Sequence, residues 1–116
     1  VLTLPASDGD AGQFLQSNGS GVMSWAAVLT TVVTSSSVTA AVDTHVYVDT
    51  SGRTITLPAS PTIGQRVLVT VGNFTDTVIG RNGSNIMSSG TDMTLDSAYL
   101  SIQFIYTNST VGWAIA

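Results

Sequence analysis

Cysteine, lysine and glutamate are absent from this chain, and arginine occurs only at 53, 66 and 81. Each absence excludes something. Without cysteine there is no disulfide framework, and no thiolate to bind a metal or attack a substrate. Three scattered arginines in a chain of net charge −4 give no basic stripe for phosphate contacts, which argues against nucleic acid and anionic membranes as partners. Charged residues make up 9% of the chain against about 25% in ordinary domains, and the missing lysine and glutamate are strong helix formers. The longest unbroken apolar run, residues 25–29, is far short of the roughly 20 residues a membrane-crossing helix needs. No basic stretch followed by an apolar one opens the sequence, so no signal peptide is expected.

What is present is valine, threonine and serine, which pack on a pleated sheet or hydrogen-bond locally in turns. The expectation is an all-β protein: a small antiparallel β-sandwich or barrel-like domain over residues 30–116, preceded by a short hairpin arm over residues 1–29. The centre of the pattern is residues 42–71, VDTHVYVDTSGRTITLPASPTIGQRVLVTV. Val42, Thr44, Val46 and Val48 alternate with Asp43, His45, Tyr47 and Asp49, as a half-buried strand requires. Asp49-Thr50-Ser51-Gly52 supplies turn chemistry, Ile55 and Leu57 share the next face, and Val67, Val69 and Val71 the one after. The spacing predicts a β-meander. Residues 30–41 predict two short strands or one bulged strand. Residues 85–88 and 93–95 predict further short strands, residues 99–107 the longest strand, and residues 111–115 a closing one.

In the arm, residues 13–17 and 22–26 flank the hairpin signal Asn18-Gly19-Ser20-Gly21. A lone two-stranded ribbon is marginal in water. Leu4, Phe14, Leu15, Met23 and Trp25 are therefore expected to be covered by something outside the segment, either the following domain or a neighbouring subunit, which makes the arm a docking element.

Few groups carry chemistry. His45, the one histidine, sits in a strand face with no strained nucleophile turn in the sequence, and reads as a hydrogen-bonded structural residue. Three copies of it about a three-fold axis would be the one route to a metal site, and no metal or other cofactor is expected. Asp8, Asp10, Asp49, Asp76 and Asp92 stand in turn contexts, where a carboxylate capping backbone N–H groups is sufficient explanation. Asp43 and Asp49 lie about 20 Å apart along a strand and cannot act as a glycosidase pair. Asp8-Gly9-Asp10 lacks the remainder of a calcium loop. The N-x-[ST] sequons at Asn18, Asn73, Asn82 and Asn108 matter only in a glycosylating host. Tyr47, Tyr99, Trp25 and Trp113 are the aromatic candidates for stacking on a sugar, of which Tyr47 and Tyr99 are singled out, with core or subunit-interface packing as the alternative. No catalytic residue is identified, and an enzymatic role is not expected.

LTLPASDGDAGQFLQSNGSGVMSWA, residues 2–26, resembles a segment recurring in tail-fibre and other structural proteins of tailed bacteriophages. Residues 42–115, with VDTSGRTITLPAS, then IGQRVLV, then a closing Gly112-Trp113, resemble the small β-domain of phage fibres and virion appendages. The resemblance implies a virion structural protein on the exterior of the particle. It would be a homotrimeric fibre or capsid-decoration module, joined to other virion proteins through the arm. The alternative is a receptor-binding module for host-surface glycan, used in host attachment. The shared residues are turn and packing positions, and no catalytic or ligand residues carry over.

Overall fold

The computed structural model describes residues 1–9, 13–27 and 29–116 of the chain, with residue 27 described in its backbone only. It is all-β, with no helix among the described residues. Two compact units divide at Thr30, Val1–Thr30 and Thr31–Ala116.

The first unit is built on β1 (Gln13–Ser17) and β2 (Met23–Ala27), paired antiparallel from Gln13↔Ala27 to Ser17↔Met23. Asn18 makes the turn: its Oδ1 accepts the N–H groups of Ser20 at 2.7 Å and Val22 at 3.2 Å, while Gly19 and Gly21 take positive φ. Ahead of the hairpin, Thr3 forms one parallel bridge to Val22. Its amide donates to Gly21 O at 2.6 Å and its carbonyl accepts from Met23 N at 2.8 Å.

The second unit is a two-sheet sandwich made of β3 (Thr30–Thr34), β4 (Val38–Thr39), β5 (Thr44–Val48), β6 (Thr54–Thr56), β7 (Arg66–Val71), β8 (Thr77–Gly80), β9 (Met93–Leu95), β10 (Ser101–Asn108) and β11 (Gly112–Ile115). One sheet runs β11-β10-β7-β5-β3 and the other β4-β6-β8-β9. Their facing sides meet in a single core. Val46, Val48, Val67, Val69, Val71, Phe104 and Trp113 on one side bury against Ile55, Leu57, Ile79 and Leu95 on the other. Burying each such side chain stabilises the fold by about 1.5–3 kcal/mol.

The sandwich stands, but the meander and its purely antiparallel pairing do not. From β3 to β8 successive strands alternate between the two sheets, so β5 pairs parallel with β7, and β6 pairs parallel with both β4 and β8. In the sandwich, β7–β10, β10–β11 and β8–β9 pair antiparallel. The turn at Gly52, with φ of 71°, carries the chain across the core instead of folding it back. Placed in opposite sheets, the Val46/Val48 and Ile55/Leu57 sides cover one another, whereas a hairpin would leave both facing the same way. The Asp76 carboxylate accepts the Gly52 N–H at 2.9 Å, Ser37 Oγ accepts that of Thr54 at 2.9 Å, and Arg53 Nε donates to Ser35 O at 2.9 Å. These bonds replace the ladder a hairpin would have had.

Smaller differences have local causes. Val42 falls outside the strand, because Asp43 takes φ of 56° and β5 begins at Thr44. Residues 85–88 make single bridges and not a strand, since Met87 and Ser88 have positive φ. Tyr99, at φ of 58°, precedes β10. Residues 30–41 do form two short strands, one in each sheet, with the serines at 35–37 as the crossing.

The closing Gly112-Trp113 pair has a physical reason. Gly112 takes φ of 74°, and any Cβ there would collide with the Asn85 main chain. That close approach lets Trp113 N–H donate to Asn85 O at 2.8 Å, while Asn85 Nδ2 donates to Thr110 O at 2.9 Å. The indole then fills the core, edge-on to Tyr106 with ring centroids 5.5 Å apart. Its Nε1 and the Thr77 hydroxyl are buried without hydrogen-bond partners.

Two stability measurements follow from this packing. Gly112→Ala should lower the urea-unfolding free energy by about 2–4 kcal/mol, combining left-handed strain with the collision at Asn85. Thr77→Val should leave stability unchanged or raise it by up to about 1 kcal/mol, because it removes a buried hydroxyl that bonds to nothing.

Candidate interaction site

The arm concentrates apolar surface in a small unit. Leu4 is 61% exposed and Trp25 38%; Phe14 and Leu15 are also exposed, and Met23 is half-buried. The pairing sets Leu15 opposite Trp25 and Ser17 opposite Met23, on one face of the ribbon. Phe14, opposite Ala26, lies on the other. Trp25 is held at one edge. Its Nε1 donates to Ser7 O at 2.9 Å, and its ring lies so close to Gly9 that a Cβ there would stand 2.6 Å from the indole. Asp8-Gly9 and Ser24-Trp25, read as a turn and a strand, are thus two halves of one contact. Sequence reasoning missed Ser7 and Gly9 as packing residues; the Asp-Gly pair ahead of an unpaired Trp was the available signal. Asp10, in the weak calcium reading, lies outside the described residues.

On the outer face of the five-stranded sheet, a hydrogen-bonded chain crosses four strands. His45 Nδ1 pairs with Thr31 Oγ1 at 3.3 Å and Nε2 with Thr70 Oγ1 at 2.9 Å, and Thr70 Oγ1 pairs with Ser101 Oγ at 2.8 Å. Both ring nitrogens have partners, as the structural reading of His45 requires. Tyr47 stands in the same face, beside Thr70 in register.

Tyr47 approaches Gly72 through its side chain, and Tyr99 bonds to it through its main chain. The Tyr47 hydroxyl lies 3.6 Å from where a Gly72 Cβ would stand, the Phe74 ring lies 3.0 Å from that point, and Tyr99 N–H donates to Gly72 O at 2.9 Å. Tyr99 is 69% exposed and Tyr47 half-buried. Phe74 had no distinguishing signal in sequence, since it stands in a loop between Asn73 and Thr75.

The carboxylates act as caps. Asp43 Oδ1 accepts the Arg66 N–H at 3.2 Å, and Asp92 Oδ1 accepts the Arg81 N–H at 3.0 Å. Asp76 serves Gly52, as described above. Asp43 and Asp49 lie at opposite ends of β5 and do not converge. Hydroxyls of Ser35 and then Thr50 hold the Asp49 carboxyl below its ordinary value of 3.8. Among the described residues, no group of three or more His, Asp or Glu side chains gathers as a metal site would need. Asparagine side chains are similarly occupied. Asn108 Oδ1 accepts from Thr110 and Val111 at 2.9 and 2.7 Å, and Asn82 Nδ2 donates to Leu57 O at 3.0 Å.

Two apolar clefts of about 260 Å³ open on the sandwich. One lies where β3 and β4 leave the core uncovered, lined by Val32, Val38, Ala40 and Val46. The other is lined by Ile86, Met87, Met93 and Ile115, with Asp92 at its rim. Neither gathers a pair of titratable side chains.

No family model matches the chain, and no curated protein matches it. Six chains of solved structure do. One of them, in a structure of a chaperone–substrate complex, is similar at a TM-score of 0.52 and 19% identity, over 84% of this chain and 19% of its own length. At that identity the likeness is one of fold. The chain thus spans a small part of that protein.

Gly9→Ala should displace the Trp25 ring, raising the acrylamide quenching of its fluorescence while leaving the melting of the sandwich unchanged. Asp49→Asn should remove a contribution that is present above pH 3.8 and fades as the pH falls through the lowered value. The wild-type advantage in urea unfolding should therefore disappear on the acid side and be retained at neutral pH.

Proposed function

We propose that the chain is a structural part of a tailed-bacteriophage particle, a trimeric β-module on the virion exterior, in a fibre or as a capsid decoration. Residues 1–29 join it to capsid or fibre proteins. The observation that carries this reading is how the shared motif residues are used. Gly9 receives the Trp25 ring, Gly112 admits the Asn85 main chain, and Leu57 and Trp113 fill the core. All are packing positions, and none presents a reactive group.

The arm supports the same reading. A two-stranded unit with Leu4, Phe14, Leu15 and Trp25 exposed buries too little to be self-sufficient, and a partner surface supplies what it lacks. The sparse charge agrees: so few charged residues suit a chain whose surface is partly covered by other subunits.

A second reading is recognition of host-surface glycan. It is favoured by the Tyr47 hydroxyl and the Phe74 ring standing together beside Gly72, and by the exposure of Tyr99, whose main chain bonds to the same glycine. On a glycan array this reading requires binding that Tyr47→Ala and Tyr99→Ala each abolish; a pure structural part gives no signal to lose.

For the structural role, mass spectrometry of purified particles should find the chain in a multiple of three copies. Phe14→Ser together with Leu15→Ser should cut its incorporation at least ten-fold without moving the thermal transition of the sandwich. A chain absent from particles, or incorporated equally well by the double variant, sinks the proposal.

A further inference from the structure

Asparagine is followed by glycine twice in the chain, at Asn18-Gly19 and Asn82-Gly83, and serine follows each pair. The two Asn-Gly-Ser triplets share one local chemistry, so a difference in their reactivity comes from the fold. An asparagine side chain is open to attack at Cγ by the main-chain nitrogen of the next residue, and glycine, having no Cβ, leaves that nitrogen least hindered.

The folded chain holds the two side-chain amides in opposite ways. At Asn18, Oδ1 accepts the N–H groups of Ser20 at 2.7 Å and Val22 at 3.2 Å, and the ring closed by the first of these bonds contains the Gly19 amide. Two donors on that oxygen are what an addition at Cγ needs, because negative charge develops there. The Gly19 N–H, whose proton has to leave, donates to Ser17 Oγ at 3.1 Å. Asn18 Nδ2, the leaving nitrogen, bonds to nothing among the described residues, and the side chain is exposed. At Asn82 the arrangement is reversed: Nδ2 is tied to Leu57 O at 3.0 Å, and no N–H among the described residues donates to Oδ1.

We infer that Asn18-Gly19 is a self-modifying site, which loses ammonia to form a cyclic imide that water then opens. The Gly19 nitrogen gives up its proton and its electron pair forms a bond to Asn18 Cγ, while the carbonyl pair moves onto Oδ1, between the Ser20 and Val22 N–H groups. As that pair returns, the Cγ–Nδ2 bond breaks, and Nδ2 takes up a proton in place of the one Gly19 lost and departs as ammonia. One water adds to either carbonyl of the imide and the ring nitrogen recovers its proton, leaving an aspartyl or isoaspartyl residue at position 18. Nothing is oxidised or reduced. Either product adds a carboxylate to a chain of net charge −4. The isoaspartyl product also inserts a methylene into the main chain of a turn that Asn18 N–H closes on Val22 O at 3.0 Å, so the adjoining Ser17↔Met23 pair is the first to loosen.

The test uses the full chain, folded and in urea, held in mildly alkaline buffer and sampled for peptide mass spectrometry. In the folded chain the mass gain from amide to carboxyl should arise at position 18 faster than at position 82 by about ten-fold or more. A protein isoaspartyl methyltransferase should label the peptide that carries position 18. In urea, where both triplets lose their hydrogen bonds, the two rates should converge. Equal rates in the folded chain, or a preference of the same size that survives urea, would overturn the inference. Asn18→Gln keeps an amide but lengthens the side chain. It should end the modification at that position with the strand signal in circular dichroism retained, and ammonia release at the wild-type rate from this variant would overturn the assignment as well.

Discussion

Two short sheets must hide one shared set of valine, isoleucine and leucine side chains, and this mutual burial is the constraint from which the rest of the sandwich follows. No disulfide is available, and the core around Phe104 and Trp113 carries the stability. Strands of only two to six residues make up most of the fold. Such short strands cannot be held by their ladders alone, so the chain crosses the core repeatedly, and each crossing places a new apolar side against the previous one. Parallel neighbours are the geometric result of that winding.

Crossing a core leaves backbone groups that no ladder satisfies, and aspartate, serine and asparagine side chains bond to them there. Asp43, Asp76 and Asp92 accept main-chain N–H groups at the ends of strands, Ser37 accepts that of Thr54, and Asn82 donates to the Leu57 carbonyl. A carboxylate engaged in this way is an architectural device. The same holds for the glycines that matter most. Gly112 makes room for the Asn85 main chain and Gly9 for the Trp25 ring, each allowing an approach that a methyl group would forbid.

These uses bear on function through what they leave over. Once caps, turns and core are accounted for, what remains among the described residues is surface: an arm with exposed aromatic and aliphatic side chains, two apolar clefts on the sandwich, and the Tyr47 hydroxyl and Phe74 ring beside Gly72. Surfaces of this kind recognise other molecules by shape and burial. The structural-protein reading proposed above draws on that residue, and the glycan reading draws on one corner of it.

Period-two alternation made the strands legible, and with them the inward residues Val46, Val48, Ile55, Leu57, Val67, Val69, Val71 and Phe104. Asn-Gly and Asp-containing stretches marked the turns, and the hairpin of the arm was readable to within a residue. Alternation is the same for parallel and antiparallel strands, however, and a turn such as Asp49-Thr50-Ser51-Gly52 serves equally to fold a strand back or to send it across a core. Sheet membership is a long-range property. The sequence alone therefore determined that this chain is built of β-strands with one apolar side each, and that its few charges stand apart from that side. Only the tertiary structure decided which strands share a sheet, that Gly9 and Gly112 are sites of close approach, and that His45 stands in a hydrogen-bonded chain running across four strands. Each of these depends on residues far apart in the chain meeting in space.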